Sequence, residues 1–155
     1  MAVDYNDTAL TNTPVTIVIS GEEFKATALT DANFDELTEW ARSLIISIAR
    51  KAIQNGDLLQ EERNEILQVA ICSAASTSWN TIEGSRILSS IEGFAHTGYL
   101  MVRKHLPKNY TEDSFCKLFK KRGYIVENKD EINRIFLRSF PTPDEKEPKG
   151  PVKNP

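Results

Sequence analysis

Residues Val15 to Ser43 read VTIVISGEEFKATALTDANFDELTEWARS, a short β-hairpin that hands directly onto a long amphipathic helix. Val15 to Ile19 is β-branched at every position, the composition of a buried or half-buried strand. Ser20-Gly21 supplies the turn, because Gly21 can take a positive φ. From Glu23 to Leu29 the side chains alternate, placing Phe24, Ala26 and Ala28 on one face and Lys25, Thr27 and Leu29 on the other. A two-stranded ribbon is marginal in water by itself, so it must lie on the helices that follow.

Thr30 or Asp31 caps the first helix, with Asp35 and Glu36 near its positive end. Phe34, Leu37, Ala41, Leu44, Ile45, Ile48 and Ala52 recur at three- and four-residue steps, a continuous apolar stripe that ends at Asn55-Gly56. A second helix is predicted over 60–76, with Ile66, Leu67, Ala70, Ile71 and Ala74 inward and Cys72 as a small buried hydrophobe. A third starts near Thr81 and runs towards His105. It carries Gly84, Gly93 and Gly98, which imply either close helix packing or a break near the middle. Pro107 ends it. Thr111 caps a fourth helix bearing Phe115, Leu118 and Phe119, closed by Gly123, and Asn128-x-x-Glu131 opens a fifth as a capping box.

The expected architecture is mainly α: an N-terminal β-hairpin on a compact bundle of about five helices, in one domain over 14–140. A polar flexible arm over 1–13 precedes it. The Pro- and Lys-rich segment 141–155 has too little apolar content to build a core and reads as a disordered tail.

Charge is uneven along the chain. Met1 to Trp40 carries eight Asp/Glu against one Lys, whereas Met101 to Phe140 carries ten Lys/Arg against five Asp/Glu. The net charge of −3 argues against nonspecific nucleic-acid binding by the whole chain. Two cysteines make no disulfide framework, the start MAVDYNDT is no signal peptide, and no apolar run is long enough to cross a bilayer. A cytoplasmic, reducing compartment is expected.

No residue pattern points to catalysis, a cofactor or a metal. His96 and His105 lack ligand-spaced neighbours, no nucleophile elbow is present, and the glycines follow no strand. Two binding readings remain. Trp40 and Trp79 are large and rare, and with Phe34, Leu37, Phe94 and Tyr99 they either fill the core or line a groove for a partner's amphipathic helix. Lys117, Lys120, Lys121, Arg122, Arg134 and Arg138 form a basic alternative surface, with Asn133 and Arg134 as candidate base contacts of a helix-turn-helix. The joining segment Gly123 to Asn128 is long for that motif, and nucleic acid is the weaker reading.

The opening segment resembles the start of the tail assembly chaperone family of tailed bacteriophages. That family begins with a hairpin containing a glycine turn and an aromatic, here Gly21 and Phe24. It continues through Leu29-Thr30 into a helix with Phe34, Glu36-Leu37 and Trp40-Ala41-Arg42. A second likeness runs from Thr81-x-Glu83-Gly84 through Arg103-Lys104-His105 and Leu106-Pro107 to Thr111-Glu112. Ala26-Thr27-Ala28 departs from the family, which tends to carry larger or basic residues there. The resemblance implies a non-enzymatic assembly factor in the bacterial host cytoplasm, with possible self-association and no membrane partner. It would keep the long helical tape-measure protein soluble until the tail tube polymerises. A small DNA-binding or regulatory protein and a minor virion structural protein are the alternatives.

Overall fold

The computed structural model describes residues 13–140; the rest of the expected N-terminal arm and the expected C-terminal tail lie outside the described residues. Two strands, β1 (Val15–Ile19) and β2 (Glu22–Ala26), pair antiparallel with Ile17 opposite Phe24. Six helices follow: α1 (Asp31–Asn55), α2 (Gln60–Ser76), α3 (Ile82–Leu88), α4 (Ile91–Val102), α5 (Glu112–Phe119) and α6 (Ile125–Leu137). A 3-10 turn, Arg103–His105, extends α4. The mainly α fold with its N-terminal hairpin is therefore as the sequence predicts.

The hairpin turn has two central residues with positive φ, Ser20 at 50° and Gly21 at 83°. That geometry matches the right-handed twist of the strands but suits a serine poorly. Buried hydrogen bonds hold it. The Ser20 N–H donates to Asn128 Oδ1 at 2.9 Å, and Asn128 Nδ2 donates to Ser20 Oγ at 3.0 Å and to the Phe119 carbonyl at 2.9 Å. Ser20 Oγ in turn donates to the Leu118 carbonyl at 2.6 Å. The Phe119 carbonyl at the end of α5 is thus met by α6, and the Leu118 carbonyl accepts from the hairpin as well as from the Lys121 N–H. Below this network Ile17 and Ile19 enter a core built with Leu37, Met101, Phe115 and Ile132.

Several expectations change. Asn128 does not open the last helix: α6 starts at Ile125, one turn earlier, without a side-chain cap, and Asn128 is buried inside it. β2 stops at Ala26, and the outward-facing Thr27 N–H donates to the Met101 carbonyl at 3.0 Å. Leu29, expected to share a face with Lys25 and Thr27, lies beyond the strand and is buried. The long third helix breaks at Ser89-Ser90, where Ser90 Oγ both donates to the Ile87 carbonyl (2.6 Å) and accepts the Gly93 N–H (3.0 Å). A Cβ on Gly93 would lie 2.5 Å from the Leu88 backbone, so glycine there allows the kink. Gly98 serves close packing instead, since a Cβ would come within 2.7 Å of Ile132 Cδ1.

Thr30 caps α1 and Asn33 reciprocates, its Oδ1 accepting the Thr30 N–H at 3.0 Å. Only the first half of the α1 stripe is covered by the bundle. Leu37 is 0% exposed, yet Ile48, on the same face, is 59% exposed. From there α1 and α2 form an antiparallel pair, and α2 rests chiefly on α1. Its contacts run through Ala70 and Ala74, whereas Ile71, expected inward, is 45% exposed and Cys72 is exposed rather than buried.

Replacing Asn128 with alanine is expected to cost about 2–4 kcal/mol in urea unfolding, because the Ser20 N–H and the Phe119 carbonyl lose buried partners. Asn133→Ala, on the exposed side of the same helix, should change stability by less than about 0.5 kcal/mol.

Candidate functional site

The six aromatic and aliphatic candidates separate into distinct places. Phe34 and Leu37 are buried core residues and offer no docking surface in this conformation, a correction to their reading as partner contacts. Phe34 packs on Trp79 with ring centroids 4.4 Å apart, and Trp79 stacks on Phe140 at 5.7 Å. Trp79 is placed by its own N–H, which donates to Thr38 Oγ1 on α1 at 3.0 Å. Arg42 Nε anchors the same linker through the Thr77 carbonyl at 2.8 Å. Tyr99 lies against Phe115, on another side of α4.

Trp79 and Phe94 do come together. With Leu88, Ile132 and Phe136 they line a cleft of about 310 Å³ between α3, α4 and α6, rimmed by Asn80, Ser85, Ser89 and Asn133. This volume sits at the lower end for ligand sites and suits one or two bulky apolar side chains rather than a length of helix. Lys129 Nζ lies 5.3 Å from the centre of the Phe94 ring.

Trp40 stands apart from that cleft, stacked on His96 at 4.8 Å with the rings 11° from parallel. His96 Nδ1 meets Glu112 Oε1, so α1, α4 and α5 are joined by one aromatic–imidazole–carboxylate chain. Beside it Arg103 donates to both Glu36 oxygens, at 2.8 and 2.9 Å. The guanidinium hydrogen bonds hold the Glu36 carboxyl below its ordinary range, against a smaller opposing effect of burial. Cys116, half-buried nearby, has its thiol pushed up to about 11, by burial first and by the Glu112 charge second.

The basic candidates are largely used within the fold. Lys117 pairs with Asp113 at 2.9 Å, Lys120 with Glu92 at 2.7 Å, and Arg134 with Glu131 at 3.0 Å. Lys121 lies over the Tyr124 ring at 5.3 Å, leaving Arg122 and Arg138 with exposed side chains and no ion-pair partner among the described residues. A duplex phosphate would compete with carboxylates already seated. Asn133 and Arg134 occupy exposed positions on α6, but Arg134 also donates to the Thr16 carbonyl at 3.3 Å and is turned towards the hairpin.

The surface that residue patterning missed is the α1–α2 arm. Ile48 on α1 and Val69 on α2 are 59% and 63% exposed, with Ile71 also open. The α1 stripe is longer than the bundle that covers its first half, a mismatch legible only once the other helices are placed. Comparison with protein-family models, curated proteins and solved structures gives no match to this chain. Among the described residues no three His, Cys, Asp or Glu side chains gather where a metal ion could be held, and no helix is long and apolar enough to cross a membrane.

The two thiols should differ sharply in reactivity. At pH 8 a thiol with a pKa of about 11 is thiolate in roughly one molecule per thousand. Ellman's reagent is expected to modify one thiol quickly and the other at least about 100-fold more slowly. Cys72→Ser should remove the fast phase. Two fast thiols would mean that α5 opens readily.

Proposed function

We propose that this chain is a non-enzymatic tail assembly chaperone of a tailed bacteriophage, acting in the host cytoplasm on the tape-measure protein. The observation that carries the reading is the apolar stripe of α1, which continues past the bundle and stands exposed at Ile48, with Val69 also exposed on α2. An amphipathic helix exposes a complementary stripe, and covering it suppresses aggregation. The ordered likeness from Gly21 and Phe24 through Trp40-Ala41-Arg42 to Thr111-Glu112 supports the same family. An assembly factor must also let go, and separate exposed aliphatic side chains favour small contacts over one deep anchor. The basic residues around Lys117 to Arg138 favour the DNA-binding reading less, because three of them are paired with carboxylates of the chain itself.

Co-expression with the tape-measure protein of the same genome should give a soluble complex, and Ile48→Glu with Val69→Glu should weaken it at least about tenfold. Both positions are exposed, so the melting temperature should move by only a few degrees. Absence of a complex at micromolar concentration would overturn the proposal.

A further inference from the structure

The two edges of the hairpin are treated differently. On β1 the free edge is occupied: the Val18 N–H donates to Glu131 Oε2 at 3.2 Å, and the Thr16 carbonyl accepts from Arg134 at 3.3 Å. These contacts identify Thr16 and Val18 as the residues whose backbone groups point away from β2. Their register partners are Lys25 and Glu23. In an antiparallel ladder directly opposed residues either exchange both hydrogen bonds or both point outward. The N–H and C=O groups of Glu23 and Lys25 therefore face out along β2. Thr27 continues that period and finds the Met101 carbonyl. Glu23 and Lys25 find no such partner among the described residues.

A second cleft, of about 330 Å³, runs along this open edge. Its walls are Phe24, Leu106, Pro107 and Tyr110, with the charged or titratable side chains Glu23, Lys25 and His105 also lining it. Burial raises the Tyr110 phenol above its ordinary range. Lys25 and His105 are exposed, as are the neighbouring Lys104 and Lys108, and none has an acidic partner among the described residues. Arg103 is the exception, already committed to Glu36.

We propose that the β2 edge is a docking site for an extended, acidic segment of a partner polypeptide, which adds as a third strand. Only an extended backbone offers donors and acceptors at the spacing of Glu23 and Lys25, roughly 4.8 Å away across the ladder. One apolar side chain of that segment enters between Phe24, Leu106 and Tyr110. An aspartate or glutamate lies opposite Lys25 and His105, while Glu23 rejects a second acid. This site is separate from the α1–α2 arm and does not depend on the chaperone reading.

The test uses the whole chain and a blocked peptide of alternating valine and threonine, about seven residues long, with its central threonine replaced by aspartate, and the same peptide with lysine at that position as control. Amide exchange at Glu23 and Lys25 should slow at least about tenfold with the aspartate peptide alone, with shifts at Leu106 and Tyr110. Lys25→Glu, an outward position that leaves the core intact, should weaken that binding about tenfold. Unchanged exchange at Glu23 and Lys25 at millimolar peptide would overturn the proposal. Equal binding of the two peptides, or shifts confined to Trp79 and Phe94, would do so as well.

Discussion

Ser20 sits buried in the left-handed region, and the Asn128 amide meets it with both an acceptor and a donor. The rest of the packing follows from that contact. It fixes where the hairpin turn lies on α5 and α6, which sets the depth of Ile17 and Ile19 in the core. It also closes the C-terminal end of α5 through the Leu118 and Phe119 carbonyls. A polar side chain at this depth is costly unless every hydrogen-bonding group is met, and no buried side-chain polar atom among the described residues lacks a partner. Arg134 and Glu131, on the next turns of the same helix, then cover the β1 edge. One helix thereby holds the hairpin at its turn and along its side, and leaves the β2 edge open.

The body so assembled is shorter than α1. Its helices cover Phe34, Leu37 and Ala41, and α3 with the Trp79 linker is tied to α1 at Thr38 and Arg42. Beyond that point α1 has α2 as its main neighbour, and the small side chains of Ala49, Ala70 and Ala74 bring the two close. Alanine contacts bury little area, so the pair is held less strongly than the body. The consequence is an arm with unpartnered aliphatic side chains on a firmly packed base, an arrangement suited to capturing and releasing a helix.

Much of this was legible in the chain. The β-branched run at Val15–Ile19, the Ser20-Gly21 turn, the Thr30 cap and the Asn55-Gly56 stop each report local chemistry, and each lies where that chemistry places it. What failed depended on partners distant in sequence. Asn128 looks like a cap because Glu131 follows it at the right spacing; its role is set by Ser20, over a hundred residues away. Cys72 and Ile71 lie in an apolar run, but the run meets only one neighbouring helix, so half of it stays in solvent. The break at Ser89-Ser90 was foreshadowed by the glycines, and the serine cap that makes it was not read. Among the candidate binding residues, Trp79 and Phe94 share one cleft whereas Leu37 is buried, a division set by where α3, α4 and α6 pack and not by residue type.

The division into a firm body and a weakly supported arm is the claim on which the functional reading turns. Hydrogen exchange of the isolated protein tests it directly. Amides of α2 should exchange through local opening, well ahead of those in α4 and α5, whose protection should approach that of global unfolding. Equal protection across all three helices would mean that the arm is an integral part of the core, and would contradict the division.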